Sequence, residues 1–195
     1  MNEEYLSAVK SQLDEKIFVH SLALQACMGG LYDYFSSQNL LPADEPKKDD
    51  WLLAGLIHDI DYAEPFKEDH PNKTREALKK YNLEISDTIL DIVKAHAPEK
   101  TGVKPTSKAQ WSLFCADSLT GLIMATAYVY PSRKITDVKP SSVIKRFLKE
   151  PRFAAGTRRD EVILCEKEEG LNIKLDTLVE ICLASMQKVA GSLGL

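Results

Sequence analysis

The chain has 195 residues, 44% of them hydrophobic and 28% charged, with a formal net charge of -4. That length is enough to bury a real core and predicts one domain spanning 1–195, and the composition argues against a disulfide-stapled scaffold and against disorder beyond the ends and one or two loops. The acidic balance removes the broad positive footprint of a nucleic-acid-polymer binder and leaves room only for a local basic cluster.

The opening MNEEYLSAVK has neither a basic-then-apolar secretory pattern nor an Arg-rich transit pattern. No uninterrupted apolar run approaches the length of a membrane span, so no membrane partner is expected. Cys27, Cys115, Cys165 and Cys182 are scattered through apolar stretches without a C-x-x-C pair. They read as reduced core thiols, and with the absent leader they predict a cytoplasmic protein.

Leu13, Ile17, His20, Leu24, Cys27 and Leu31 recur at steps of three and four, one face of a long helix that turns His20 toward the core. Gly29-Gly30 within it predicts a kink or a close helix crossing. The proline-broken SSQNLLPADEPKKDD, residues 36–50, reads as a loop whose Asp49 or Asp50 caps the next helix. That helix, WLLAGLIHDI over 51–60, is apolar all round and carries the His58-Asp59 pair at its end. Adjacent helical residues diverge by about 100°, so both reach one site only near a terminus. The loop 61–69 supplies that terminus, and its acids Asp61, Glu64, Glu68 and Asp69 read as a solvated run.

Pro71 is placed at the first position of a helix running to about Tyr81, with His70 at its cap. Next, Ile85, Ile89, Ile92 and His96 share a face, and Pro98 stops that helix. The run 111–128 is a long apolar helix with Asp117 in its middle, and an ionised carboxylate there costs several kcal/mol unless a charge or metal compensates it. A short amphipathic helix opened by Pro140 and a last helix over 175–193 are expected to cover the core. The fold class is therefore all-α, a single-domain helical bundle with its metal-binding core over about 15–130 and covering helices over about 131–195.

All four histidines fall with two aspartates in one order: His20, His58-Asp59, His70, His96, Asp117. Imidazole with carboxylate and no thiolate suits divalent Fe, Mn, Zn, Co or Ni, and argues against a structural zinc knot. A single core histidine is more often satisfied by a neighbour than by a metal; the ordered set reverses that balance.

The order His, His-Asp, Asp on consecutive helices resembles the HD domain superfamily of metal-dependent phosphohydrolases. The strings GLIHDIDY and CADSLTGLI resemble its small stand-alone bacterial members. The resemblance implies an all-helical core in which His20, His58, Asp59 and Asp117 bind a divalent ion. His70 and His96 resemble the binuclear subgroup, in which Asp59 would bridge to a second ion. The short interval from Asp59 to His70, and the lack of a double His or Gly-Tyr-Pro signature after His96, depart from the cyclic-dinucleotide phosphodiesterases of the superfamily.

One or two divalent ions against two carboxylates leave positive charge that attracts an anionic oxygen, so a small phosphorylated substrate is expected, with His58 and Asp59 carrying the chemistry. Lys94, Arg133, Lys134, Arg158 and Arg159 are surface charges by default and candidate phosphate clamps; we assign Lys94 and Arg133 to substrate. Two other readings use the same ligands: a di-iron oxygenase of the superfamily, and a non-catalytic metal- or nucleotide-binding protein. The sequence carries no signal of oligomeric state.

Overall fold

The structure is a computed structural model that describes residues 3–195, and all regular structure among them is helical. The long helix read around His20 is preceded by a short one, α1 (Glu3–Gln12), and runs as α2 over Glu15–Ser37. Asp14 caps it by accepting the Lys16 and Ile17 N–H groups. α2 passes through Gly29-Gly30 without interruption, so the glycines serve close crossings rather than a kink. A Cβ on Gly30 would collide with Ser185 Oγ, and one on Gly29 would stand 2.9 Å from Leu52 Cδ2.

α3 (Lys48–Ile57) starts three residues earlier than expected. Asp50 acts from inside its first turn, accepting the Lys47 N–H at 3.1 Å, rather than standing outside as the cap. The helix ends at Ile57, and His58-Asp59 enter a turn closed by Ile60 N–H to Ile57 O and Tyr62 N–H to Asp59 O. The terminus that the adjacent pair requires is therefore present.

Two expected boundaries are corrected. Pro71 does not open a helix to Tyr81; α4 spans only Thr74–Lys79, and His70 follows a 3-10 turn over Lys67–Asp69. The cause is Asp61, whose carboxylate accepts both His70 Nδ1–H and the Lys73 N–H and holds 70–73 as a turn. Likewise α5 (Asp87–Lys94) ends before His96, and Pro98 opens α6 (Pro98–Thr101) instead of merely stopping its predecessor.

α7 (Lys108–Val129) is capped by Ser107 and Gln110 in a reciprocal box. Contrary to the expectation of no such segment, α7 is long and apolar enough by length and composition to cross a membrane. Here it is the central helix, packed against α2, α3 and α5 and against the C-terminal helices α8 (Pro140–Lys149), α9 (Arg159–Val162) and α10 (Leu175–Lys188). The expected last helix breaks at Val189, leaving α11 (Ala190–Leu193) as a separate turn.

Buried side chains from α1 to α11 form one continuous apolar cluster, with Trp51, Phe35, Leu24, Met28, Leu31 and Leu56 among its largest fully buried members. Val143 and Phe147 of α8, and Leu178, Val179 and Cys182 of α10, belong to it, so the C-terminal helices do cover the core. All four cysteines are free and buried, and burial pushes the Cys165 thiol up to about 12.

α2 and α3 also approach closely at Gly55, where a Cβ would stand 2.9 Å from both Gln25 Cα and Met28 Cγ. Backbone cannot yield as a side-chain tip can. Gly55→Ala should therefore cost about 1–3 kcal/mol from overpacking, partly offset by about 1 kcal/mol of helix propensity. Urea unfolding checks the net loss; because this crossing sets His20 against His58, metal affinity should fall with stability.

Candidate metal centre

Six side chains from five parts of the chain meet at one place. His20 comes from the second turn of α2, His58 and Asp59 from the turn after α3, and Asp117 from the middle of α7. His70 comes from the turn after the 3-10 segment, and His96 from just beyond α5.

Their ligand atoms form two groups that share Asp59. In the first, His20 Nε2 lies 3.2 Å from His58 Nε2, 3.0 Å from Asp117 Oδ1 and 3.9 Å from Asp59 Oδ2. His58 Nε2 is 3.2 Å from that same Asp59 oxygen. In the second, the other Asp59 oxygen, Oδ1, is 3.3 Å from His70 Nε2, which is 3.3 Å from His96 Nε2. The sequence-assigned ligand residues are thus brought together, one carboxylate oxygen facing each group.

The remaining nitrogen of every imidazole is held by an acceptor. His58 Nδ1–H donates to Gly55 O at 3.0 Å, His96 Nδ1–H to Val93 O, and His70 Nδ1–H to Asp61 Oδ1 at 2.7 Å. His20 Nδ1 lies 3.0 Å from Thr120 Oγ1, and that hydroxyl donates its own proton to Asp117 O at 2.6 Å. Thr120 must then accept from His20. All four neutral rings carry their proton on Nδ1, so four Nε2 lone pairs and two carboxylates converge with no proton between them. Such a donor set fits a divalent cation, and two adjacent ones if both groups are filled.

Electrostatics say the same. Burial disfavours charge on His58, yet the Asp59 carboxylate beside it, and then Asp117, carry its pKa up to about 9. Burial also opposes ionisation of Asp59 and Asp117, but His58 beside the first and His20 beside the second hold both well below the usual carboxylate range. His96, buried and close to the His58 charge, is pushed down to about 4. The site draws in positive charge, and a proton on His58 Nε2 occupies the place a cation would take.

The first group opens on a cleft of about 420 Å³, floored by His20 and Asp117 and walled by residues 154–158. Its basic group is Arg158. The guanidinium donates from Nη2 to Asp117 Oδ2 at 2.8 Å and from Nε to Ser118 Oγ at 3.2 Å. Its Nε also lies 3.0 Å from Glu161 Oε2, and burial pushes that carboxyl up to about 7. Lys94 and Arg133 do not line this cleft; Arg133 is exposed in the loop after α7.

Asp61 is the residue that sequence reasoning missed. Read as part of a solvated acidic run, it is fully buried and orients His70 from behind. Its signal was its place in GLIHDIDY, inside the apolar stretch and between Ile60 and Tyr62, whereas Glu64, Glu68 and Asp69 lie beyond it. Thr120, one turn after Asp117, was read only as part of an apolar helix.

A family model described as HD domain matches residues 17–122, more than half of the chain. The chain belongs to the HD domain family. The matched segment holds all six residues of the centre, and the family is one of metal-dependent phosphohydrolases. No curated protein and no solved structure matches the chain.

Two predictions test this geometry. Asp61→Ala should lower metal affinity about 10- to 100-fold by releasing His70, while Asp61→Asn, which keeps an acceptor, should lose less; competition with a chromophoric chelator measures both. Metal entering the first group must displace the His58 proton, so affinity should rise with pH up to about 9 and level off above it.

In the chelator-treated protein, the His58 contribution to stability is complete below its unfolded-state value of about 6.5 and is lost as pH rises through about 9. His96 acts in the opposite sense, stability falling as pH drops from about 6.5 toward about 4. Asp59 and Asp117 contribute fully above about 3.9 and lose that contribution in stronger acid. Melting temperature should therefore peak near pH 6.5 without metal; a flat profile from there to about 9 would refute the His58 assignment.

Proposed function

We propose that the protein is a metal-dependent phosphohydrolase acting on a small phosphorylated metabolite or nucleotide. The observation that carries this is the Asp59 carboxylate, with one oxygen facing each of two imidazole groups, beside a cleft whose wall carries an arginine. When bound there, a divalent ion lowers the pKa of its water from 15.7 toward about 7, supplying a nucleophile at neutral pH without a side-chain nucleophile.

The chain's own residues do the remaining work. His20, His58, Asp59 Oδ2 and Asp117 Oδ1 would hold one ion, and Asp59 Oδ1, His70 and His96 a second. Arg158 fixes Asp117 Oδ2, which keeps Oδ1 turned to the first group, and, with Nη1 4.0 Å from Glu99 Oε1, is the cationic group of the cleft wall that a phosphate oxygen would meet. Glu161, with its pKa near neutrality, can hold or release a proton beside that guanidinium. In this reading Arg158 takes the substrate role first assigned to Lys94 and Arg133.

The same two groups, rich in imidazole and sharing a carboxylate, also favour a second reading as a di-iron oxygenase. Elemental analysis of protein purified without oxygen, chelator or a metal-binding tag separates the two. Redox-inert metal with turnover on a phosphoester panel supports the hydrolase; two equivalents of iron with oxygen consumption supports the oxygenase; bound metal with neither activity supports a binding protein.

Asp59→Ala should lose metal at both groups and reduce turnover at least about a hundredfold. His70→Ala and His96→Ala should each lose one equivalent and keep the other. Full metal stoichiometry in Asp59→Ala would overturn the ligand assignment.

A further inference from the structure

A second, larger cavity lies elsewhere. It measures about 630 Å³, is enclosed by α1, α2, α3 and the C-terminal turn around Val189 and Ser192, and shares no residue with the cleft over Asp117. Its walls are apolar, formed chiefly by Phe18 and Leu22 of α2 and Leu52 and Leu53 of α3. Each of these four side chains is only half-buried, and Phe18, Leu22 and Leu53 pack against the apolar core. A volume of this size matches a site for a small organic molecule.

The polar content of the wall is informative. Gln25 is 8% exposed, and its side chain makes no hydrogen bond or ion pair with any other described residue. Its amide is not sealed in the core either, since it is absent from the fully enclosed side-chain atoms that make no hydrogen bond, such as Trp51 Nε1 and Ser112 Oγ. The remaining exposure of Gln25 is therefore toward the cavity. An amide facing a largely apolar cavity keeps both its donor and its acceptor free for a molecule that enters there. Asp49, exposed in the first turn of α3, is a carboxylate in the same wall without an ion-pair partner, and no basic residue lines the cavity to balance it. An anionic ligand is thereby disfavoured.

We infer that this cavity is a binding site, separate from the metal centre, for a small neutral molecule with an apolar body and a carboxamide-like head. Gln25 offers one carbonyl acceptor and an NH₂ donor, and a group carrying both functions in one plane returns both bonds. The apolar body replaces water along Phe18, Leu22, Leu52 and Leu53. Phe18 and Leu22 flank His20 on α2, and Leu52 and Leu53 stand on the helix that ends at His58, so the cavity and the metal centre use the same two helices from different sides.

Octanamide is the probe, titrated calorimetrically into the full chain with octanoate as its anionic counterpart. Saturable binding of octanamide, at least about tenfold tighter than octanoate, is expected. Gln25→Leu, which preserves volume, should weaken octanamide about fivefold. Leu22→Trp fills the space and should abolish binding while circular dichroism and metal content stay native; if that variant does not fold, Ala26→Leu narrows the same wall.

Undiminished binding in the filled variant, equal affinity for octanoate, or no binding up to the solubility limit overturns the inference. So does sedimentation showing a dimer that Leu22→Trp dissociates, since the cavity would then belong to an interface between copies.

Discussion

Four hydrogen bonds made away from the centre decide what the centre is. With Nδ1–H of each imidazole committed to Gly55 O, Val93 O, Asp61 or Thr120, every Nε2 is left as a lone pair. A histidine that donates from one nitrogen and presents the other cannot satisfy a neighbouring lone pair, so His20 and His58 at 3.2 Å require a cation or a proton between them. Two of the four acceptors are backbone carbonyls three residues upstream, at the ends of α3 and α5. Both carbonyls lie in the last turn of their helices, so the scaffold orients these two rings without further side chains.

The way the helices end explains why six ligands from distant segments reach one point. A helix interior presents one residue in three or four to a given side, which suffices for His20 and for Asp117. Two adjacent ligands need a break, and α3 stops at Ile57, where His58 still caps the helix and Asp59 is already in the turn. His70 sits on a turn that no helix holds. Asp61 takes over there, binding the ring at one oxygen and the Lys73 N–H at the other, so one buried carboxylate both shapes the turn and aims the ligand.

The helical class, the apolar faces of α2 and α7 and the ordered ligand set were legible because each rests on local periodicity or on residue types the chemistry requires. The adjacency of His58 and Asp59 even foretold a helix end. Asp61 was not legible, because an acid in a run of acids looks solvated until tertiary structure encloses one of them. Arg158 was among five undifferentiated basic residues, and nothing local distinguishes a guanidinium that will fold back 41 residues onto Asp117. The boundaries at Pro71 and Pro98 went wrong for a related reason: proline marks a break, but side chains brought from elsewhere decide whether a turn or a new helix comes after it.

The two halves of the centre are not equivalent, and the difference gives the site a direction. His70 and His96 are 6% and 3% exposed and lie in a closed wall, whereas His20 and Asp117 retain 19% and 13% of their side-chain surface and floor the cleft. Asp59, at 17%, spans both. A molecule entering from solvent would therefore meet the His20–Asp117 side first, next to Arg158, whose guanidinium touches a carboxylate of the centre. Arg158 adds a positive charge there and occupies Asp117 Oδ2. That bond leaves Oδ1 for the His20–His58 group and makes the arginine both a brace for the centre and part of the surface a phosphate would contact. The segment that carries it lies beyond the family-matched residues 17–122, so the wall of the cleft is where this chain adds its own character to a shared metal core.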